Sequence, residues 1–185
     1  MPGARDSIKA VVFGGIIYVI GGYSNSDDRL NTVQSYDPAT NKRTTRDSLP
    51  VGKSSVAAGL LGSTIVAAAG LEDSGATGNN EALSAASPGS WKSLASDPTA
   101  RWAGCSASIA GILFYAGGRT NAGPVHVVES FNLTTNEWST LASIPTAVVN
   151  PAEAEVGNLM YCIGGSSNGQ LDQGTVYDNV QIYHP

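Results

Sequence analysis

Apolar and polar residues alternate in short bursts along this chain, not in helical stripes. The stretch 103–145 shows the pattern best. "AGCSASI" interleaves small and apolar positions, and "GILFYAGG" is a β-branched and aromatic run halted by two glycines. "VHVVESF" alternates again, and "EWSTLASIP" closes the stretch. Each run has strand length and is bounded by Gly, Asn, Pro or Asp. Turns fall at Ala110-Gly111 and across Asn132–Asn136. No window offers sustained helical periodicity with caps. Four short antiparallel strands, a to d, are predicted here.

The pattern repeats. Gly21-Gly22 is echoed by Ala69-Gly70, Gly117-Gly118 and Gly164-Gly165, at intervals of 48, 48 and 47 residues. Pro2, Pro50, Pro98 and Pro145 each stand 19 residues before the doublet. A period of this size marks a repeat architecture. Tyr36, Phe131 and Tyr183 share one strand-c position, where unit two has Leu83 beside Glu81. Trp91 and Trp138 each precede a marker proline by 7 residues, and Arg43 fills that place in unit one. The units run over about 2–49, 50–97, 98–144 and 145–185 of a single domain. "NVQIYHP" in unit four matches "TVQSYDP" in unit one, so unit four has strands a to c without d, and 15 strands are predicted in all.

A strand ending in Gly-Gly, an aromatic about a dozen residues on, then Trp and Pro: this resembles the kelch repeat. The resemblance implies an all-β fold, a β-propeller of about four kelch-type four-stranded blades, the last lacking its outer strand. It also implies that strand a lines a central channel. Glycine at the doublet lets neighbouring backbones approach and permits positive φ. Tyr36, Trp91, Phe131 and Trp138 are then expected to fill the space between blades. Kelch rings commonly have more than four blades and close by borrowing one strand across the termini. Three readings therefore stand. The chain closes as a small four-bladed ring, it belongs to a larger ring, or two copies combine, with self-association through the open edge strand of the last blade.

Composition narrows the partners. Only 14% of the 185 residues are charged and the net charge is −5. Lys42, Arg43 and Arg46 form the one basic grouping, too small to track a phosphate backbone, so no nucleic-acid partner is expected. The uncharged run Ala10–Tyr23 has the look of an export-signal core, but the same pattern recurs at 108–118 and 156–165. It reads as strand, too short to span a bilayer as a helix, and no membrane partner is expected. Cys105 and Cys162 fall in apolar runs and read as small buried thiols, not a bridge. Low charge with much Ser, Thr and Gly hints at a secreted or periplasmic setting.

The search for chemistry is mostly negative. His126 and His184 lack a companion at ligand spacing, so no metal is expected. The Tyr, Cys and His set of a galactose-oxidase-like copper site cannot be assembled, and "NSDDRLN" lacks calcium-loop spacing. Gly165–Gly169 matches G-x-S-x-G without a following helix and reads as a loop. No cofactor and no catalytic residue are assigned. What remains is a face built from the loops before strand a and after strand b. The first set supplies Arg5, Lys53 and Arg101, each three residues past a marker proline, and the off-pattern Trp102. The second supplies Asn25, Asp27, Arg119, Asn121 and Asn168. These nine are the expected ligand-binding residues of a non-catalytic interaction module for a protein segment or a glycan. Two alternatives stand beside it. One is a carbohydrate-active enzyme of epimerase or mutarotase type, drawing acids from Glu72, Asp73 or Glu129. The other is a structural half-ring that oligomerises.

Overall fold

A computed structural model describes residues 3–26, 28–87, 89–169 and 174–185. Its described residues form strands and turns, and four antiparallel sheets hold the fifteen blade strands in a four-blade β-propeller arrangement. Blade 1 comprises Lys9–Phe13, Ile16–Ile20, Val33–Asp37 and Lys42–Arg46. Blade 2 comprises Ala57–Leu61, Thr64–Ala68, Asn80–Ser84 and Lys92–Leu94. Blade 3 comprises Cys105–Ile109, Ile112–Ala116, Val128–Asn132 and Glu137–Leu141. Blade 4 has Ala152–Val156, Leu159–Ile163 and Val180–Tyr183, three strands. In blades 1 to 3 the spatial order follows the chain, a-b-c-d, and in blade 4 it is a-b-c. In blades 2 and 3 strand b is apolar at nearly every position because both its faces meet a neighbouring blade; in Ile112–Ala116 four of five residues are buried.

Three apolar seams join the blades. Val11, Tyr18, Ile20 and Val33 of blade 1 meet Val56, Ala58, Ile65 and Leu83 of blade 2. Ala57, Leu61, Val66 and Ala68 of blade 2 meet Leu113, Tyr115 and Phe131 of blade 3. Ala107, Ile109, Phe114 and Val128 of blade 3 meet Met160 and Cys162 of blade 4. Trp138 packs on Phe131 with ring centroids 5.2 Å apart, and Trp91 lies buried in the first seam. Each indole N–H crosses its seam, Trp91 to the carbonyl of Asp47 (2.9 Å) and Trp138 to that of Ala95 (2.8 Å). Tyr36 departs from the expectation: it lies on the outer flank of blade 1, under the guanidinium of Arg43 at 5.0 Å.

The glycine doublets stitch the seams. The amides of Gly22, Gly70 and Gly118 donate to the carbonyls of Lys53, Arg101 and Val148 in the next blade, at 3.1, 2.8 and 2.8 Å. Gly21 has φ +57°, and a Cβ there would collide with the Lys53 carbonyl oxygen. Ala69 takes the same left-handed conformation in unit two, φ 56°. A second series of bonds climbs round the axis: Ser55 to Ser7, Ala103 to Ser55 and Asn150 to Ala103, at 2.8, 3.0 and 2.8 Å.

The cysteines correct the sequence reading. Cys105 and Cys162 are joined in a disulfide, Cα atoms 5.7 Å apart, linking strand a of blade 3 to strand b of blade 4. Their separation of 57 residues is one repeat plus about ten, which brings these two strands together across a seam. Among the described residues the flanks of blades 1 and 4 do not form a fourth apolar cluster of this kind. Val12 of blade 1 is 57% exposed, and Val156, Ile163, Val180 and Ile182 of blade 4 are 60, 42, 50 and 48% exposed. The ion pair between Lys9 and Glu153 links these two blades near the axis.

Candidate functional site at the channel mouth

The loops before strand a and after strand b meet on one face, as the sequence implies. Short antiparallel contacts join them in each unit: Arg5–Asp6 with Tyr23–Ser24, Ser54 with Leu71, Trp102 with Arg119, and Val149 with Ser166. They enclose a hollow of about 260 Å³ whose lining includes Asp6, Tyr23, Arg29, Leu71, Trp102 and Asn150, so every unit contributes. A smaller hollow of about 140 Å³ is lined by Ser7, Lys9, Ser55, Val56, Ala103 and Glu153, around the inner strands. The expectation that strand a borders the channel agrees with this lining.

Of the nine residues expected on the face, Trp102 lines the mouth. Its indole N–H has no hydrogen-bond partner among the described residues, and the side chain is half-buried. Lys53 and Arg101 lie beneath the face, both fully buried. Lys53 is paired with Glu81 and donates to the carbonyl of Asn79 (3.0 Å). Arg101 is paired with Glu129 and with Asp97 (3.0 Å), donates to the carbonyls of Thr99 and Tyr115 (both 3.0 Å), and lies 4.1 Å from the Tyr115 ring. A charge stripped of water must be paired, and these are. Arg5 is half-buried and donates to Gly21 O (3.2 Å) and Thr32 Oγ1 (2.9 Å). Arg119 donates to the carbonyl of Asn168 (2.8 Å), bridging two units. Asn121 accepts from the amide of Ala76 (3.0 Å), also between units, and Asn25 is exposed. Asp27 lies outside the described residues.

Arg29, Leu71 and Asn150 escaped the sequence reading. Arg29 is held by the exposed Asp73 (2.8 Å) and stands 5.6 Å over the Tyr23 ring. A pair with a solvent-exposed partner is worth roughly 0–1 kcal/mol, so this guanidinium exchanges partners at little cost. Asn150 marks the fourth place in the series Ser7, Ser55 and Ala103, and that spacing is the signal that finds it.

The buried charges have their own electrostatics. Loss of water pushes the Asp97 carboxyl up to about 8; Glu129 alongside adds to this and Arg101 opposes it. Burial alone would raise Glu129 too, but hydrogen bonding from Asp97 and the Arg101 charge outweigh it and hold Glu129 below its usual range. Burial also depresses the Lys53 ammonium, against the attraction of Glu81. The acids named for the enzyme reading are engaged separately, Glu129 with Arg101, Glu72 with Asn79 (2.8 Å) and Asp73 with Arg29.

Among known families, the kelch motif matches residues 4–50 and 104–145. These ranges are units one and three, the two that keep the doublet, the strand-c aromatic and the closing proline together. No curated protein matches the chain.

Proposed function

The chain is a kelch-repeat β-propeller, and on that premise we propose that it is a non-catalytic binding module that seats a segment of a partner protein across the channel mouth. The observation that carries this reading is Trp102. It stands where the other units have Asp6, Ser54 and Val149, and its indole N–H has no partner among the described residues while Trp91 and Trp138 have theirs engaged. An amphipathic ring with a free donor, beside a loosely held guanidinium, suits a peptide carrying a carbonyl or carboxylate. A glycan is the second reading, favoured by the aromatic side chains of Trp102 and Tyr23 in one lining. The disulfide supports an oxidising compartment, in line with the low charge of the chain.

Peptide and glycan arrays test the assignment, with Trp102→Ala and Arg29→Ala as controls. At least one class of ligand is expected to bind, and each substitution to weaken it by roughly tenfold or more, the size of a central anchor residue. Unchanged binding by both variants would remove the mouth as the site.

A further inference from the structure

Another hollow, about 180 Å³, lies between the outer strands of blade 2 and the loop that enters that blade. It shares no lining residue with the channel mouth. Pro50, Val51 and Leu94 give it apolar wall, and Glu81, Ser93 and Ser96 give it polar groups. Glu81 of strand c stands directly opposite Ser93 of strand d, so the two side chains share one face of the sheet.

Glu81 is only half committed. It is 5% exposed, and its Oε2 receives the buried ammonium of Lys53. Its Oε1 has no hydrogen-bond partner among the described residues. A carboxylate accepts at both oxygens, and a buried acceptor without a donor is costly.

The repeat shows which donor this place takes. Glu81, Glu129 and Gln181 hold one strand-c position, opposite Ala67, Tyr115 and Cys162 of strand b. Val51, Thr99 and Thr146 hold one loop position, each directly after a marker proline. In blade 3 the Thr99 hydroxyl donates to Glu129 Oε1 (3.0 Å). In blade 4 the amide of Thr146 donates to Gln181 Oε1 (2.9 Å). Both donors are neutral. In blade 2 the residue is a valine, 44% exposed, with no hydroxyl to give, and Glu81 borders the hollow.

Charge selects the ligand further. Lys53 already neutralises Glu81, one for one, away from water. A second cation would stand unpaired beside that ammonium, and an anion would face the carboxylate. A hydroxyl donates to Oε1 without adding charge. Ser93 and Ser96 can each donate and accept, while Pro50 and Val51 offer aliphatic surface. Several hydroxyls on an aliphatic frame answer this lining.

We propose that the hollow is a binding site for a single sugar ring. One ring hydroxyl donates to Glu81 Oε1, a neighbouring hydroxyl meets Ser93 or Ser96, and a C–H face of the ring packs on Val51. Trp102 takes no part, so the site stands or falls separately from the channel mouth.

The test uses the whole isotope-labelled chain and amide chemical-shift mapping with the methyl glycosides of glucose, galactose and mannose. Saturable shifts centred on Val51, Glu81 and Ser93 are expected with at least one of them. Val51→Thr supplies from within the chain the hydroxyl that blade 3 uses. It should weaken binding about tenfold, the loss of one hydrogen bond to a charged group. Ser93→Leu, at an exposed strand position, fills the hollow and should weaken binding at least as much; it decides alone if the first variant does not fold. Trp102→Ala should leave these shifts unchanged. Folded protein without saturable shifts at these amides overturns the proposal, as does undiminished binding by either folded hollow variant. So does a capped peptide, acetyl-Ala-Thr-Ala-amide, that shifts the same amides where no glycoside does, since the hollow would then take a protein side chain.

Discussion

Blades 3 and 4 are built from the same positions and held by different means. Arg101 and Val148 each offer the carbonyl that receives the glycine amide of the preceding blade. Opposite them, at one strand-c position, stand Glu129 and Gln181, one repeat apart. Blade 3 fills the place with a buried ion pair. Blade 4 fills it with a valine and a neutral amide, and Gln181 exchanges two hydrogen bonds with Thr146 (2.9 and 3.1 Å). Blade 2 follows blade 3, with Lys53 and Glu81. The difference shows that the cation of the first loop is a structural anchor, present where strand c carries glutamate. Where strand c carries glutamine, as Gln34 and Gln181 do, the anchor is absent or goes elsewhere: Arg5 turns to Thr32. Blade 4 lacks both this anchor and a fourth strand in the described structure, and it is the blade tied by a disulfide.

The largest effect expected from breaking this contrast is at Arg101. Arg101→Ala leaves Asp97 and Glu129 buried without their cation, and should cost about 3–5 kcal/mol. Urea unfolding measures it. Val148→Ala at the matching place removes a buried side chain but strands no charge, and should cost less, about 1–3 kcal/mol by methyl loss and cavity formation. Equal losses at the two positions would show that the ion pair does not distinguish the blades.

Next comes the disulfide. Replacing both Cys105 and Cys162 by Ser should cost about 2–4 kcal/mol, the usual range for a bridge. Blade 4 should loosen first. Hydrogen exchange should therefore rise across Leu159–Ile163 and Val180–Tyr183 while Thr64–Ala68 in blade 2 stays protected. Uniform exchange along the chain would mean that blade 4 needs no such tie.

Why was one anchor legible in the sequence and the other not? The strands, the units and the missing strand d follow from spacing, since a propeller writes its repeat directly into the chain. The doublets are legible because their partner, a backbone carbonyl, requires no particular side chain. Arg101 and Lys53 resemble face residues in the sequence because a loop cation looks solvated, whereas both are fully buried. A signal was present nonetheless: Glu81 and Glu129 each follow their cation by 28 residues. The disulfide escaped because its partners meet between blades, and 57 residues means nothing until the register of two blades is known. Trp102 was legible as an interruption of the repeat; Arg29, Leu71 and Asn150 fit the repeat or a polar loop, and only the folded mouth gathers them.

A smaller effect separates the blades by pH. Between about pH 4 and 8 folded blade 3 keeps a proton on Asp97 that the unfolded chain has released. The folded state binds more protons there, so stability is lost as pH rises through the window. Glu129 acts oppositely, and its contribution is lost as pH falls below the ordinary glutamate range. From pH 6 to 8 the Asp97 effect should be about 2 kcal/mol, somewhat less than 1.36 kcal/mol for each pH unit because the folded carboxyl itself begins to release its proton as the pH nears 8. Asp97→Asn should flatten the dependence. A melting temperature that rises over this range in the parent protein would contradict the assignment.

The smallest stability effect is expected beside the largest. Trp102 adjoins Arg101, and Val149 adjoins Val148 at the same two places of blade 4. Val149 is 1% exposed and is committed to packing. Trp102 is half-buried at the mouth, its indole N–H without a partner among the described residues. Trp102→Ala should therefore change stability by no more than about 0.5 kcal/mol, the range of surface substitutions. Val149→Ala should cost about 1–3 kcal/mol as a core truncation. Chemical denaturation of the two variants decides it. A costly Trp102→Ala would make the side chain part of the scaffold, and the repeat would then hold no position in blade 3 set aside for a ligand.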